Sequence, residues 1–252
     1  MKKIIIFVGL LSMILLLSGC QMNVGTGFHH YIVEPFASLI HLTATLFSGS
    51  YGIAIIVLTL IIRLVLAPLM IKQMINQNEM REKMERVKPE MQEIQAKIKQ
   101  SKDAKEQREF QQDMMALYKK HGINPLSIGC LPILIQMPIL SAFYFAIRGS
   151  HAIASHTFLW FSLGGPSLVL TILAGLIYYV QFRVQQTMMT VQPEQGQTMK
   201  MMGFMSPLMI VMFSFNSPAA LPLYWIVGGA FLIVQTYVTK WIITRQKQTA
   251  EI

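Results

Sequence analysis

The sequence predicts an all-α polytopic membrane protein: five transmembrane helices around a hydrophilic groove, with a cytoplasmic helical hairpin and an N-terminal interfacial amphipathic helix. Three observations lead there. The 252 residues are 53% hydrophobic and only 13% charged, a balance suited to several lipid-facing spans rather than to a soluble domain. Five apolar runs, at 51–71, 126–147, 166–183, 204–216 and 219–241, are separated by turn or charge signals. The first run reads IAIIVLTLIIRLVLAPLMI from Ile53 to Ile71 and holds Arg63 near its middle. A guanidinium at that depth costs at least about 2.5–3.5 kcal/mol, so it is expected to face protein or a water-filled cavity. Pairing with a buried carboxylate is hard to arrange, because no later run contains Asp or Glu. Snorkelling would require the span to sit with Arg63 near one surface.

The first element is a targeting segment. Lys2 and Lys3 give a positive start, Ile4 to Leu17 an apolar stretch, and Leu17-Ser18-Gly19-Cys20 closes it. The small pair before Cys resembles a bacterial lipobox, so residues 1–19 are expected to be a cleaved lipoprotein signal peptide and Cys20 the lipid attachment site. Cys130 then has no intrachain partner and reads as a packing residue. No Cys/His metal spacing occurs and no cofactor is expected. Residues 20–50 form the extracytoplasmic N-terminus. Within them Phe36, Leu39, Ile40, Thr43 and Phe47 recur at helical spacing, predicting an amphipathic helix in the outer interface.

After the first span, residues 72–124 are the only strongly charged stretch. Met80, Met84, Val87, Met91, Ile94 and Ile98 repeat at steps of three and four, an apolar seam on one helix face. Pro89 predicts a kink or a restart there. Ser101 and Asp103 supply a turn and an N-cap, and Phe110, Met114, Leu117 and Tyr118 a second face before Asn124-Pro125. Two amphipathic helices joined by a tight turn make a hairpin. Its charges are mixed, so it is not a simple polybasic lipid anchor.

The remaining spans are linked by an extracytoplasmic loop at 148–165 and a cytoplasmic Met-rich loop at 184–203, and a cytoplasmic tail occupies 242–252. The fourth run is short for a span and requires tilt or a thinned bilayer. Lys and Arg concentrate in 72–121, the 184–203 loop and the tail, whereas 148–165 carries only Arg148. Orientation is therefore N-terminus outside and C-terminus inside the cell membrane, in agreement with an acylated outer Cys20.

No nucleophile–base pair, phosphate-binding Gly loop or metal-ligand spacing is present, and the spans lack acidic residues, so neither an enzyme nor an ion-coupled carrier is expected. The spans and their edges instead hold uncharged polar groups: Thr59, Gln136, Ser141, Thr171, Gln181, Gln185, Tyr224 and Gln235. Singly, each could stitch helices together; taken with Arg63 they suggest a solvated groove. Of 19 methionines, eight lie between Met188 and Met212 and seven between Met70 and Met115. Flexible thioethers suit a surface that accepts many apolar partners, which makes Met84, Met91, Met188, Met189, Met201 and Met202 candidates for client capture; each alone could equally fill a gap in a core.

The lipobox, the five spans, Arg63, the charged hairpin, NPLSIGCLPILIQMPIL opening the second span and the PAALPLYW turn into the last together resemble the YidC/Oxa/Alb membrane protein insertases. The likeness covers essentially all the mature chain and is closest to the short, lipid-modified bacterial form. It implies a five-helix bundle whose groove opens to the cytoplasm and the lipid but is closed outside. It places Arg63 in that groove and extends the lining to Gln136, Gln181 and Tyr224. It implies insertion and folding of newly made membrane proteins, alone or with the Sec translocon. Implied partners are nascent membrane proteins, that translocon, the ribosome, signal recognition particle and the lipid bilayer, with no direct nucleic-acid substrate. The tail after Trp241 is short and only modestly basic, which argues against strong tail-mediated ribosome binding. Two other classes would use the same residues: a solute transporter or channel, and an assembly factor whose Arg63 pairs with a partner's carboxylate. A carrier predicts an internal repeat, and none is visible between the halves.

Overall fold

The computed structural model describes residues 27, 29–101, 103–123, 131–188 and 196–250, with the side chains of 104, 131–134, 196–204 and 250 left aside. The signal peptide, Cys20, Cys130 and Met189 lie outside the described residues. The rest is mostly helical, with one small ribbon.

A π-helical turn, His29–Val33, leads into helix α1, Glu34–Leu46. The imidazoles of His29 and His30 lie 3.4 and 2.9 Å from the Glu34 carboxylate. The hydrogen bond with His30 holds that exposed carboxyl below its ordinary value. The face that α1 buries is Phe36, Ile40 and Ala44, with Val33 before it, whereas Leu39 and Phe47 stay exposed. The chain then turns through Ser48 and Gly49, both at positive φ, and the Gly49 amide donates to Ala44 O at 2.8 Å, closing the helix as a C-terminal cap does.

Ser50 accepts from the Ile53 amide and starts helix α2, Tyr51–Gln100. At 50 residues it extends about 75 Å. The helix neither stops at the end of the apolar run nor breaks at Pro89. Pro68 and Pro89 both stand on exposed positions, so each ring disturbs hydrogen bonding on the outward side, and the buried face carries the helix past it. Asp103 caps the next helix, α3, Ala104–Lys120, through the Lys105 amide at 3.0 Å. Helix α3 folds back on the second half of α2. There Val87, Leu117 and Ile123 are buried among Met80, Met84, Met91, Ile94 and Tyr118, and the Tyr118 hydroxyl reaches Met91 Sδ at 3.3 Å.

Helix α4 spans Leu131–Gly149 and α5 His151–Ser155. The segment expected as a loop then forms a two-stranded ribbon, β1 Thr157–Phe158 and β2 Phe161–Ser162, antiparallel with Phe158 opposite Phe161. Helix α6 follows at Leu168–Gln186, capped by Ser167. Helix α7 occupies Gly196–Phe215 and α8 Ala220–Ala250. The short fourth run is therefore lengthened from its N-terminal side, half of the Met-rich loop becomes helix, and the expected tail continues α8.

Helix α8 lies between α2 and α6, α7 packs on α6, and α4 is held chiefly through α1. Three described helices are long and apolar enough to cross a membrane, within Tyr51–Gln100, Leu168–Gln186 and Ala220–Thr249, and Met205–Phe215 is a shorter apolar stretch. Their outward faces are greasy, with Leu64 and Val65 on α2, Ile172 and Leu176 on α6, and Val234 and Val238 on α8 exposed.

The core is polarised along the bundle. It takes the first turns of α2 (Ala54, Ile55, Leu58), of α6 (Leu170, Ala174) and of α8 (Ala219 to Trp225), but the last turns of α4 (Phe143, Ala146, Ile147). Ile153, Phe161 and Leu163 of the α4–α6 connection complete it. The carbonyls of Gly165 and Leu163 accept from the Ala219 and Ala220 amides at 2.8 and 3.1 Å, satisfying donors that begin α8 and have no intrahelical partner. Toward the other end α4 has no buried residue among its described side chains before Ala142. There α2, α6 and α8 still bury Gln73, Val184, Gln235, Thr236 and Thr239, so that end is loose on the α4 side.

Candidate functional site

Directly beneath the packed end, α2, α4, α6 and α8 bring polar groups together. The Tyr224 ring belongs to the core and is 2% exposed, its centroid 4.5 Å from that of the tilted Phe143 ring, which in turn meets Phe36 edge-on at 4.6 Å. Its hydroxyl leaves that apolar layer and receives a hydrogen bond from Gln136 Nε2 at 2.5 Å. Tyr224 thus bridges the buried layer to Gln136. An amide and a phenol that find each other leave neither as a costly unpaired group.

Arg63 sits one helical turn beyond the buried Thr59. It is half-buried and, among the described residues, forms no ion pair. What it faces is backbone. A Cβ built on Gly228 would stand 3.0 Å from Arg63 Nη2 and 3.3 Å from Nε. Gly228 follows Tyr224 by four residues, so both lie on one face of α8, and the guanidinium occupies the seat that the missing side chain leaves. Tyr178 of α6 lies within electrostatic reach of Arg63 and Tyr224. Gln181, one turn further along α6, is half-buried and bonded to Gln185 at 3.4 Å. The polar groups therefore descend from Tyr224–Gln136 through Arg63 and Tyr178 to Gln181, from the packed end toward the loose one.

The sequence reading missed Tyr178, Gly228 and Gly229. The Gly228-Gly229 pair was the available signal, since adjacent glycines in an apolar run mark close helix approach. Gly229 faces the other way: its Cβ would fall 2.6 Å from Ile177 Cγ2. Neighbouring substitutions should differ accordingly. In Gly228→Ala the contact is a mobile guanidinium, so the variant is expected to keep its stability. Gly229→Ala is expected to lose about 1–3 kcal/mol by overpacking, read as thermal unfolding in detergent micelles.

Gln73 was missed as well. It is 8% exposed on α2, and neither its amide nitrogen nor its oxygen has a partner. An unsatisfied buried amide costs about 1–3 kcal/mol, so Gln73→Leu is expected to raise stability by that order in the same melt.

The candidate capture residues divide. Met84 and Met91 are half-buried against α3. Met188 is half-buried just after α6, and Met201 and Met202 lie on the first half of α7, where only backbone is described. Toward the far end of α8, Lys247 pairs with Glu82 of α2 at 2.6 Å, and Lys240 reaches Thr187 at 3.3 Å. These exposed links tie the helix ends together with little free energy.

Comparison with known proteins places this architecture. Residues 43–247 match the family described as 60Kd inner membrane protein. The chain is 51% identical over 243 residues to membrane protein insertase YidC 2 of Listeria monocytogenes, covering 95% of this chain and 88% of that one. It is 45% identical to membrane protein insertase MisCB of Bacillus subtilis, covering 92% and 86%. A crystal structure described as an active YidC insertase, with its first transmembrane domain resolved, superposes with a TM-score of 0.54 at 25% identity. That match covers 82% of this chain but only 46% of the solved one. By sequence and by fold, the chain belongs to the 60Kd inner membrane protein family of membrane protein insertases.

Proposed function

We propose that this insertase works through a hydrophilic groove bounded above by the packed end, with Arg63 as its fixed positive charge. The observation that carries the proposal is the polarised core: dense packing at one end, then Tyr224–Gln136, Arg63 and Gln181 in descending order. With the packed end outside, the groove opens to the cytoplasm and, beside α4, to lipid. Five spans then come from the apolar part of α2 and from α4, α6, α7 and α8. The hairpin of α2 and α3 stands in the cytoplasm, and α1 lies at the outer interface. A lipid anchor at Cys20 fits the same orientation.

The physics is differential solvation. A client with one apolar segment must carry a short hydrophilic flank across hydrocarbon, and each unsatisfied polar group there costs several kcal/mol. A wet half-channel shortens the apolar path. Arg63 attracts an acidic flank in a medium where charges act more strongly than in water. The client's apolar segment leaves along the exposed faces of α6 and α8, and burial in lipid supplies the free energy. No hydrolysis is required. The test is autonomous insertion: the purified protein alone in liposomes should render a small single-span client protease-protected. Failure there, with insertion restored by adding the Sec translocon, would make the protein a translocon-dependent partner. A solute carrier would need access from both ends, and the dense packing of one end speaks against it.

The hairpin and the Met-rich segment receive clients before the groove, with ribosome and signal recognition particle as candidate delivery partners. Deleting residues 84–118 is expected to lower client cross-linking to the protein while the bundle melts as before. Unchanged insertion by that deletion would remove the hairpin from the pathway.

A further inference from the structure

The ribbon joining α5 to α6 carries apolar side chains where a soluble hairpin carries polar ones. Leu159 and Trp160 form its two-residue turn and are 70% and 66% exposed. Leu159 has φ 55°, a conformation that a hairpin of this length ordinarily gives to glycine. The chain thus accepts an unfavourable backbone at a large aliphatic residue whose side chain contributes nothing to the core.

The base of the ribbon is firmly held. The Phe158 ring fills the space over Gly52, where a Cβ would meet it at 2.1 Å. Phe161 is buried, and its ring meets that of Phe158 edge-on at 5.8 Å. The tip therefore projects from a fixed stem rather than from a loose loop. No Asp, Glu, Lys or Arg occurs anywhere from Gly149 to Phe182. After residues 163–167 the chain enters α6 through the exposed Leu168 and Val169, so apolar exposure resumes on the helix that follows the ribbon.

We propose that Leu159 and Trp160 are seated in the headgroup–acyl boundary of the outer leaflet, where they set the height of the packed end in the bilayer. Indole favours that boundary because its ring is apolar and its N–H is polar, and the aliphatic neighbour adds burial without charge. This rests on the outer placement of the packed end.

The test uses the full chain in liposomes with Trp160 as the only tryptophan, through Trp225→Phe and Trp241→Phe. Lipids brominated near the glycerol end should quench Trp160 more than lipids brominated near the bilayer centre, with emission blue-shifted from that of indole in water. Leu159→Asn, whose residue type tolerates positive φ, should keep the fold and lose part of both signals. Stronger quenching by the deep bromines would overturn the interfacial seat. So would a Trp160 that only aqueous iodide quenches, including one shielded from iodide solely when a second membrane protein is added. Client insertion by the same liposomes reads the insertase mechanism separately. Insertion retained without lipid quenching refutes only the seat, whereas loss of insertion with quenching intact refutes only the groove.

Discussion

Arg63→Ala is expected to abolish most insertion of a single-span client with an acidic flank, assayed as protease protection in liposomes containing only the purified protein. At about 7 Å and an effective dielectric near 20, two unit charges attract by about 2.4 kcal/mol, roughly a fifty-fold effect on an equilibrium. The fold should survive, because Arg63 makes no ion pair among the described residues and lies against Gly228 of α8. Arg63→Lys separates two roles. A diffuse attractive charge tolerates the ammonium, whereas a bidentate clamp on a partner's carboxylate does not. Equal insertion by wild type and Arg63→Ala would leave the family activity standing and reduce Arg63 to a structural residue. A client whose flank carries no acidic residue provides the internal control, since its dependence on Arg63 should be weak.

Gly164→Ala should be among the most damaging single methyls in the packed end. The added Cβ would fall 2.3 Å from the Ala154 carbonyl oxygen and 2.7 Å from its Cα. A backbone neighbour cannot rotate aside as a side chain can, so the cost lies at the upper end of overpacking, about 3 kcal/mol. It also disturbs Leu163 and Gly165, whose carbonyls hold the first amides of α8. At about 2–4 °C per kcal/mol for a chain of this size, the melt in micelles should fall clearly. Gly149→Ala is the matched control, because nothing stands within 4 Å of the Cβ it would add. A Gly164→Ala protein that melts with wild type would mean that the connection between α5 and the ribbon yields freely.

Arg63 was legible because charge inside an apolar run is expensive enough to demand a reason. Gln136 and Tyr224 could be named singly, but their bond joins residues 88 positions apart, and no local periodicity reports such a meeting. The extent of α2 was obscured by Pro89, since sequence signals a break without revealing that the ring stands on the open side. In α1 the pattern selected Phe36, Leu39, Ile40, Thr43 and Phe47; the protein buries Ile40 and half-buries Phe36 and Thr43, but exposes Leu39 and Phe47 and buries Val33 and Ala44 instead. Beside lipid both faces of a helix can be apolar, so hydrophobic spacing does not say which one meets protein. The ribbon left no trace, because strands of two residues are shorter than any alternating pattern.

The polarised core also has a temporal consequence. Its layers come from residues 33–58, 143–174 and 219–225, so most of its contacts join segments that leave the ribosome far apart in time. Non-local closure of this kind follows the local helices. The packed end cannot be complete until Ala219 to Trp225 have been made. Until that segment is made, the earlier helices lack the partner that completes their shared core.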